Sequence, residues 1–165
     1  MHFRLLILPL FLLASSLFGQ VKSDSINYSL LKVNGLDFSL KKDLILKEFG
    51  KPNRTFEPKY ECGFFSEAEQ GRKYFSLDYG NLKFTGNKKQ GYQIEEIQFS
   101  SRQQNRITFR KNLLYHLTTI KEFEVIFGIK VSGNETLLYS KGADDGLIFK
   151  FSNGRLTKME YWSPC

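Results

Sequence analysis

"KEFGKP", residues 47–52, and "VIFGIK", residues 125–130, carry the same pair: Phe49-Gly50 returns as Phe127-Gly128. A glycine that closes an apolar run at helical spacing supplies the left-handed residue on which helices end, and Pro52 forbids continuation beyond the first of these stops. Each copy therefore marks the end of a short helix. Ahead of the first runs "KVNGLDFSLKKDLILKEFGKP" (32–52), an alternating strand-like piece, then Ser39 suited to capping, then Leu40, Leu44 and Ile45 at helical spacing. Ahead of the second runs "RKNLLYHLTTIKEFEVIFGIK" (110–130), in which Thr119 and Glu122 form a capping box and Ile120, Phe123 and Phe127 share one face.

The segments that follow agree in pattern. "FSLDY" (75–79) and "LIFKF" (147–151) alternate apolar residues in the same way, and "IEEIQFSS" (94–101) lies over "LTKMEYWS" (156–163), matching Ile94 with Leu156 and Ile97 with Met159. "YECGFF" (60–65) corresponds more loosely to "TLLYSK" (136–141). Recurrence of several elements in one order predicts a tandem repeat. The expected fold is α+β: two β-α-β-β-β repeats, residues 31–101 and 111–165, joined by a linker at 102–110. They would form one antiparallel sheet with two short helices packed on one face and the other face open. Asn153-Gly154 suits a tight primed turn between the last two strands.

Arg4 precedes fifteen largely apolar residues, "LLILPLFLLASSLFG" (5–19). A bilayer span needs roughly 20, so the stretch reads as a signal peptide, 1–19, followed by a flexible segment, 20–30. The competing reading is an uncleaved membrane anchor. Gly19 is a suitable small residue before the cut, although Leu17 is bulkier than usual, and no cysteine near the end of the run offers a lipid attachment point. The expected location is secreted or periplasmic, with no stable membrane span after cleavage.

The sequence has 24 basic and 17 acidic residues, so loss of Arg4 with the leader leaves 23 − 17 = +6. The bases are scattered and form no run of five, which favours a solvated surface over a nucleic-acid site. Catalytic chemistry is equally thin. His116 is the one histidine beyond the leader, and no phosphate loop, paired Cys-x-x-Cys or HExxH occurs. Asp144-Asp145 precede a glycine, where a turn needs small acidic residues; a glycosidase-like carboxylate pair is the alternative. No catalytic residue, metal or cofactor is expected. Cys62 and Cys165 either pair in an oxidising compartment, closing a long loop, or remain isolated thiols.

If Leu147, Phe149, Phe151, Leu156, Met159 and Tyr161 point inward, alternation puts Ile148, Lys150, Lys158, Glu160 and Trp162 on the open face. Tyr74, Ser76, Asp78, Glu96 and Gln98 join them from the first half. The predicted partner contacts are Tyr74, Asp78, Ile148, Lys150, Lys158 and Trp162. An outward tryptophan and tyrosine among charges have the composition of an interface hot spot, unless Trp162 merely covers the sheet edge.

A strand with "NG", a helix ending in "FGKP", and final strands "GYQIEEIQF" and "GRLTKMEYW" resemble the tandem-repeat fold of the secreted β-lactamase inhibitor proteins. They are similar also to the small outer-membrane assembly lipoproteins of the SmpA/OmlA (BamE) type, from which the chain departs in lacking a lipidation cysteine. The "KVNGLDFSL…FGKP…YFSLDYGNLKF" half resembles, in addition, bacterial domains with an "LGKP…WDxxG" pattern. The resemblance implies a non-catalytic protein-binding scaffold: an inhibitor, an immunity-type neutraliser or an envelope-assembly factor with a protein partner. The alternative is an envelope enzyme or a binder of anionic glycan.

Overall fold

A computed structural model describes residues 25–165; the expected leader and residues 20–24 lie outside them. Ser25–Ile26 form a strand (β1) and residues 28–30 a 3-10 turn, although 25–30 were expected in a flexible segment. Burial of Ile26 to 1% exposure accounts for the difference.

Next comes a hairpin of β2 (Leu31–Val33) and β3 (Leu36–Asp37), turning at Asn34-Gly35 with φ of 50° and 89°, the positive pair that Asn-Gly adopts readily. β4 (Ser39–Leu40) leads into α1 (Lys42–Phe49), and β5 (Arg54–Phe56) follows. A segment carrying the short helix α2 (Glu67–Gln70) then precedes a meander of β6 (Phe75–Asp78), β7 (Leu82–Asn87) and β8 (Gly91–Gln98). The second half has a hairpin of β9 (Ile107–Phe109) and β10 (Asn112–Leu114), helix α3 (Ile120–Phe127), and a meander of β11 (Glu135–Ser140), β12 (Gly146–Ser152) and β13 (Arg155–Trp162).

The two meanders meet at β13 and β8, so the large nine-stranded sheet runs β1-β11-β12-β13-β8-β7-β6-β5, with β4 also on β8. The fold is α+β, as expected, with three corrections. A third helix, α2, is present. The sheet is mixed, because β1 joins β11 in parallel while the remaining pairs are antiparallel. A second sheet, β10-β9-β2-β3, ties the two hairpins together, and its β9 occupies what was expected as linker. The strand in the third place from the seam is β6 on one side and β11 on the other, so 75–79 and 147–151 do not hold matching positions.

Helix boundaries follow local chemistry in one case and tertiary pairing in the other. Thr119 and Glu122 complete the capping box of α3, and Gly128 closes the helix at φ 68°. Ser39, expected to cap α1, instead pairs with Gln93 in β4; Lys41 stands at the cap without a side-chain bond, and Asp43 in the first turn faces the positive helix end. Both helices cover one face of the large sheet. Phe123 of α3 lies 4.8 Å from Phe149 and 5.2 Å from Phe151, while Phe49 of α1 lies 5.4 Å from Phe84. The row Phe149-Met159-Ile97-Leu82 runs beneath them, each residue no more than 3% exposed. One hydrophobic cluster spans both halves.

Candidate functional site

The face away from the helices can be read strand by strand from the pairing register. One row runs Leu137, Ile148, Glu160, Glu96, Lys83, Asp78, Arg54; the next runs Glu135, Lys150, Lys158, Gln98; and Tyr139, Gly146 and Trp162 stand side by side at one end. The register therefore brings Ile148, Lys150, Lys158, Trp162 and Asp78 to one face, as alternation predicted. The charges among them are paired. Glu160 meets Lys150 at 2.5 Å and Lys158 at 2.6 Å, Lys158 also meets Glu96 at 3.2 Å, and Lys83 meets Glu96 at 3.7 Å and Glu95 at 3.0 Å. Three lysines thus balance three glutamates.

These contacts tune the groups involved. Partial burial pushes the Glu160 carboxyl up, but hydrogen bonds from Lys150 and Lys158 outweigh it and hold the group below the ordinary glutamate range. Burial lowers Lys158, and its bonds to Glu160 and Glu96 raise it further than burial lowers it. Asp78 is held low chiefly by the Gly80 backbone N–H, which donates to it at 2.7 Å, and also by Arg54 at 3.0 Å. Its ion-pair partner is Arg54 on the adjacent strand β5.

Tyr74 leaves the predicted set. It is 2% exposed, donates to Gln90 Oε1 at 3.1 Å and packs edge-on to Phe65 at 5.5 Å. The cause is the segment between β5 and β6, which folds back over the first half of this face and buries Ser76, Thr85 and Glu95. Beneath it Ser76 and Thr85 share a hydrogen bond of 2.6 Å, and both Thr85 and Tyr60 donate to Glu95. The second half of the face, the seam and the Arg54–Asp78 edge remain open.

Cys62 and Cys165 are joined by a disulfide with Cα atoms 5.0 Å apart. Cys62 lies in this covering segment, and Phe64 N–H donates to Ser163 Oγ at 2.9 Å beside the bridge.

Sequence alternation missed Leu137 and Tyr139. Tyr139 is 48% exposed and sets its ring edge-on to Trp162, centroids 6.0 Å apart. The signal was ambiguous, because the consecutive Leu137 and Leu138 allow either register; the pairing Leu137↔Ile148 settles it.

The other candidates are placed as follows. Asp145 accepts hydrogen bonds from Tyr161 at 2.7 Å and Tyr28 at 3.3 Å; burial first, and this clasp in addition, push both tyrosines' pKa values up. Asp144 is exposed in the adjoining turn, and His116 lies edge-on to Tyr115 at 5.5 Å. Among the described residues no group of three or more His, Cys, Asp or Glu is placed to hold a metal ion, and no helix is long and apolar enough to cross a membrane. No known protein family, curated protein or solved structure matches the chain.

Proposed function

We propose that the chain is an exported, non-catalytic binding module whose partner is a protein, engaged through the helix-free sheet face at its Trp162–Tyr139 end. The observation that carries this reading is the juxtaposition there of Trp162, Tyr139, Leu137 and Ile148 beside a charge network already balanced within itself. Aromatic anchors ringed by polar groups have the composition of binding hot spots, and rigid rings lose little entropy on docking. Internal neutralisation of the lysines on this face leaves them little pull on an acidic polymer, which favours a protein over an anionic glycan. The Cys62–Cys165 bridge suits an oxidising, extracytoplasmic setting. The same order of hairpin, helix and meander on either side of the seam supports descent from a duplicated unit. Inhibitor, immunity-type and envelope-assembly roles all use such a surface.

Affinity capture from the native extract, repeated with Trp162→Ala combined with Tyr139→Ala, tests the reading. The double variant should weaken retention of the captured protein by roughly thirtyfold, the effect of losing one hot spot. Unchanged retention, or saturable salt-sensitive binding of an acidic polysaccharide with no protein partner, would overturn it.

A further inference from the structure

The helix side of the molecule presents a different chemistry. Val125 on α3 is 77% exposed, and Leu113 on β10 and Leu117 in the following loop are each 46% exposed. Leu113 and Val125 wall a groove of about 420 Å³ together with Tyr115 and Ile126, and Lys121 stands on its rim. Arg110 and Lys111, both exposed, form the adjoining turn between β9 and β10. None of these three bases makes an ion pair among the described residues, although Glu124 lies close enough to Lys121 to feel its charge.

Two acids stand nearby, Glu122 in the groove lining itself and Glu124 beside Lys121. Glu122 accepts the Thr119 backbone N–H at 2.8 Å in the capping box, and Glu124 accepts the Val131 N–H at 3.0 Å and pairs with Lys130. An N–H bond leaves a carboxylate charged, but the four bases Arg110, Lys111, Lys121 and Lys130 exceed the two acids Glu122 and Glu124 by two, so net positive charge stands beside protruding aliphatic side chains, in contrast to the balanced network on the sheet face. Val125, at 77% exposure, protrudes far enough to enter a soft apolar phase. Aliphatic tips flanked by Lys and Arg, with an aromatic hydroxyl at the margin, suit the boundary between acyl chains and anionic headgroups.

We infer that this side docks on an anionic lipid surface: Leu113, Leu117 and Val125 enter the headgroup–acyl boundary while Arg110, Lys111 and Lys121 meet lipid phosphates. The surface lies across the molecule from the Trp162 face, so lipid and partner can be held at once, and the inference does not depend on the partner's nature.

Flotation of the purified protein with phosphatidylcholine vesicles, with and without phosphatidylglycerol, is the test. The protein should float with the mixed vesicles at low salt and stay behind with phosphatidylcholine alone. Leu113→Asp with Val125→Asp should abolish flotation, and Lys111→Glu with Lys121→Glu should weaken it, each lost base costing about fivefold in partition. Melting curves establish that both variants are folded, and the charge-reversal pair, lying wholly on the surface, keeps the test valid if the aspartate pair unfolds. Absence of flotation with the anionic vesicles, or flotation equal for wild type and the charge-reversal pair, overturns the inference. So does sedimentation showing that the apolar patch joins two copies of the chain, or binding of an acidic peptide in place of vesicles.

Discussion

Glu160 and Glu96 face each other directly across the seam, a like-charge pair that would weaken a sheet if left alone. Lys150, Lys158 and Lys83 turn it into a stabilising arrangement, and the resulting shifts fix its pH window. Glu160 has a lowered pKa in the folded state, so its contribution is complete above the unfolded carboxylate value, about 4.3, and is lost as pH falls through the folded value. Lys158 is raised, so its contribution is complete below about 10.4 and is lost as pH rises through its folded value. Glu160→Gln should therefore cost about 1 kcal/mol near neutral pH, a partly exposed pair being worth no more than that. Urea unfolding near neutrality and again below the folded pKa should show the gap between wild type and variant close on acidification; a gap that persists in acid would mean that packing, not charge, is responsible. At this scale alternation read the open face correctly for Ile148, Lys150, Lys158 and Trp162. It failed for Tyr74, because period-two patterning reports which way a residue points and not what folds over it.

Among the elements, the two main helices begin in opposite ways. α3 has a reciprocal cap, whereas α1 starts at Lys41 with no side-chain bond to its first turn. Thr119→Ala should lower stability by about 1 kcal/mol, read from the shift of the urea midpoint. A Lys41→Asp change should move it the other way by a similar amount, since an unfilled cap is filled and a negative group is brought to the helix end. The capping box was legible in the sequence because every group in it lies within four residues. Ser39 was not, because its fate depends on Gln93, more than fifty residues on. β9 was hidden for a similar reason: "ITF" is too short to declare itself and becomes a strand by pairing with β2. Irregular pairing at Lys83/Phe84 and at Lys150/Phe151 also shifts the strands by one residue, which defeats a simple comparison of strand sequences.

In the whole molecule, the two halves share one core, but their meanders meet in the large sheet at only three residue pairs, 158–160 against 96–98. Other links add to the joining: the β1–β11 pairing, the second sheet, and the Cys62–Cys165 bridge, whose residues are 103 apart in sequence. Chain-entropy reasoning gives a loop of that length up to about 4.7 kcal/mol. Cys62→Ser with Cys165→Ser should therefore lower the melting temperature markedly, and reductant should lower that of the wild type to a similar value; equal melting with and without reductant would mean the bridge contributes nothing. That these two cysteines pair could not be read from their spacing, since proximity across so long a loop is created only by the completed fold. The connections are also crossed: β1 adds a strand to the second half, while Cys165 is sulfur-bonded to the first. A protease that cut the exposed turn near residues 101–104, between the halves, would leave two fragments still covalently tethered, so in surroundings rich in peptidases a single nick would not release either piece.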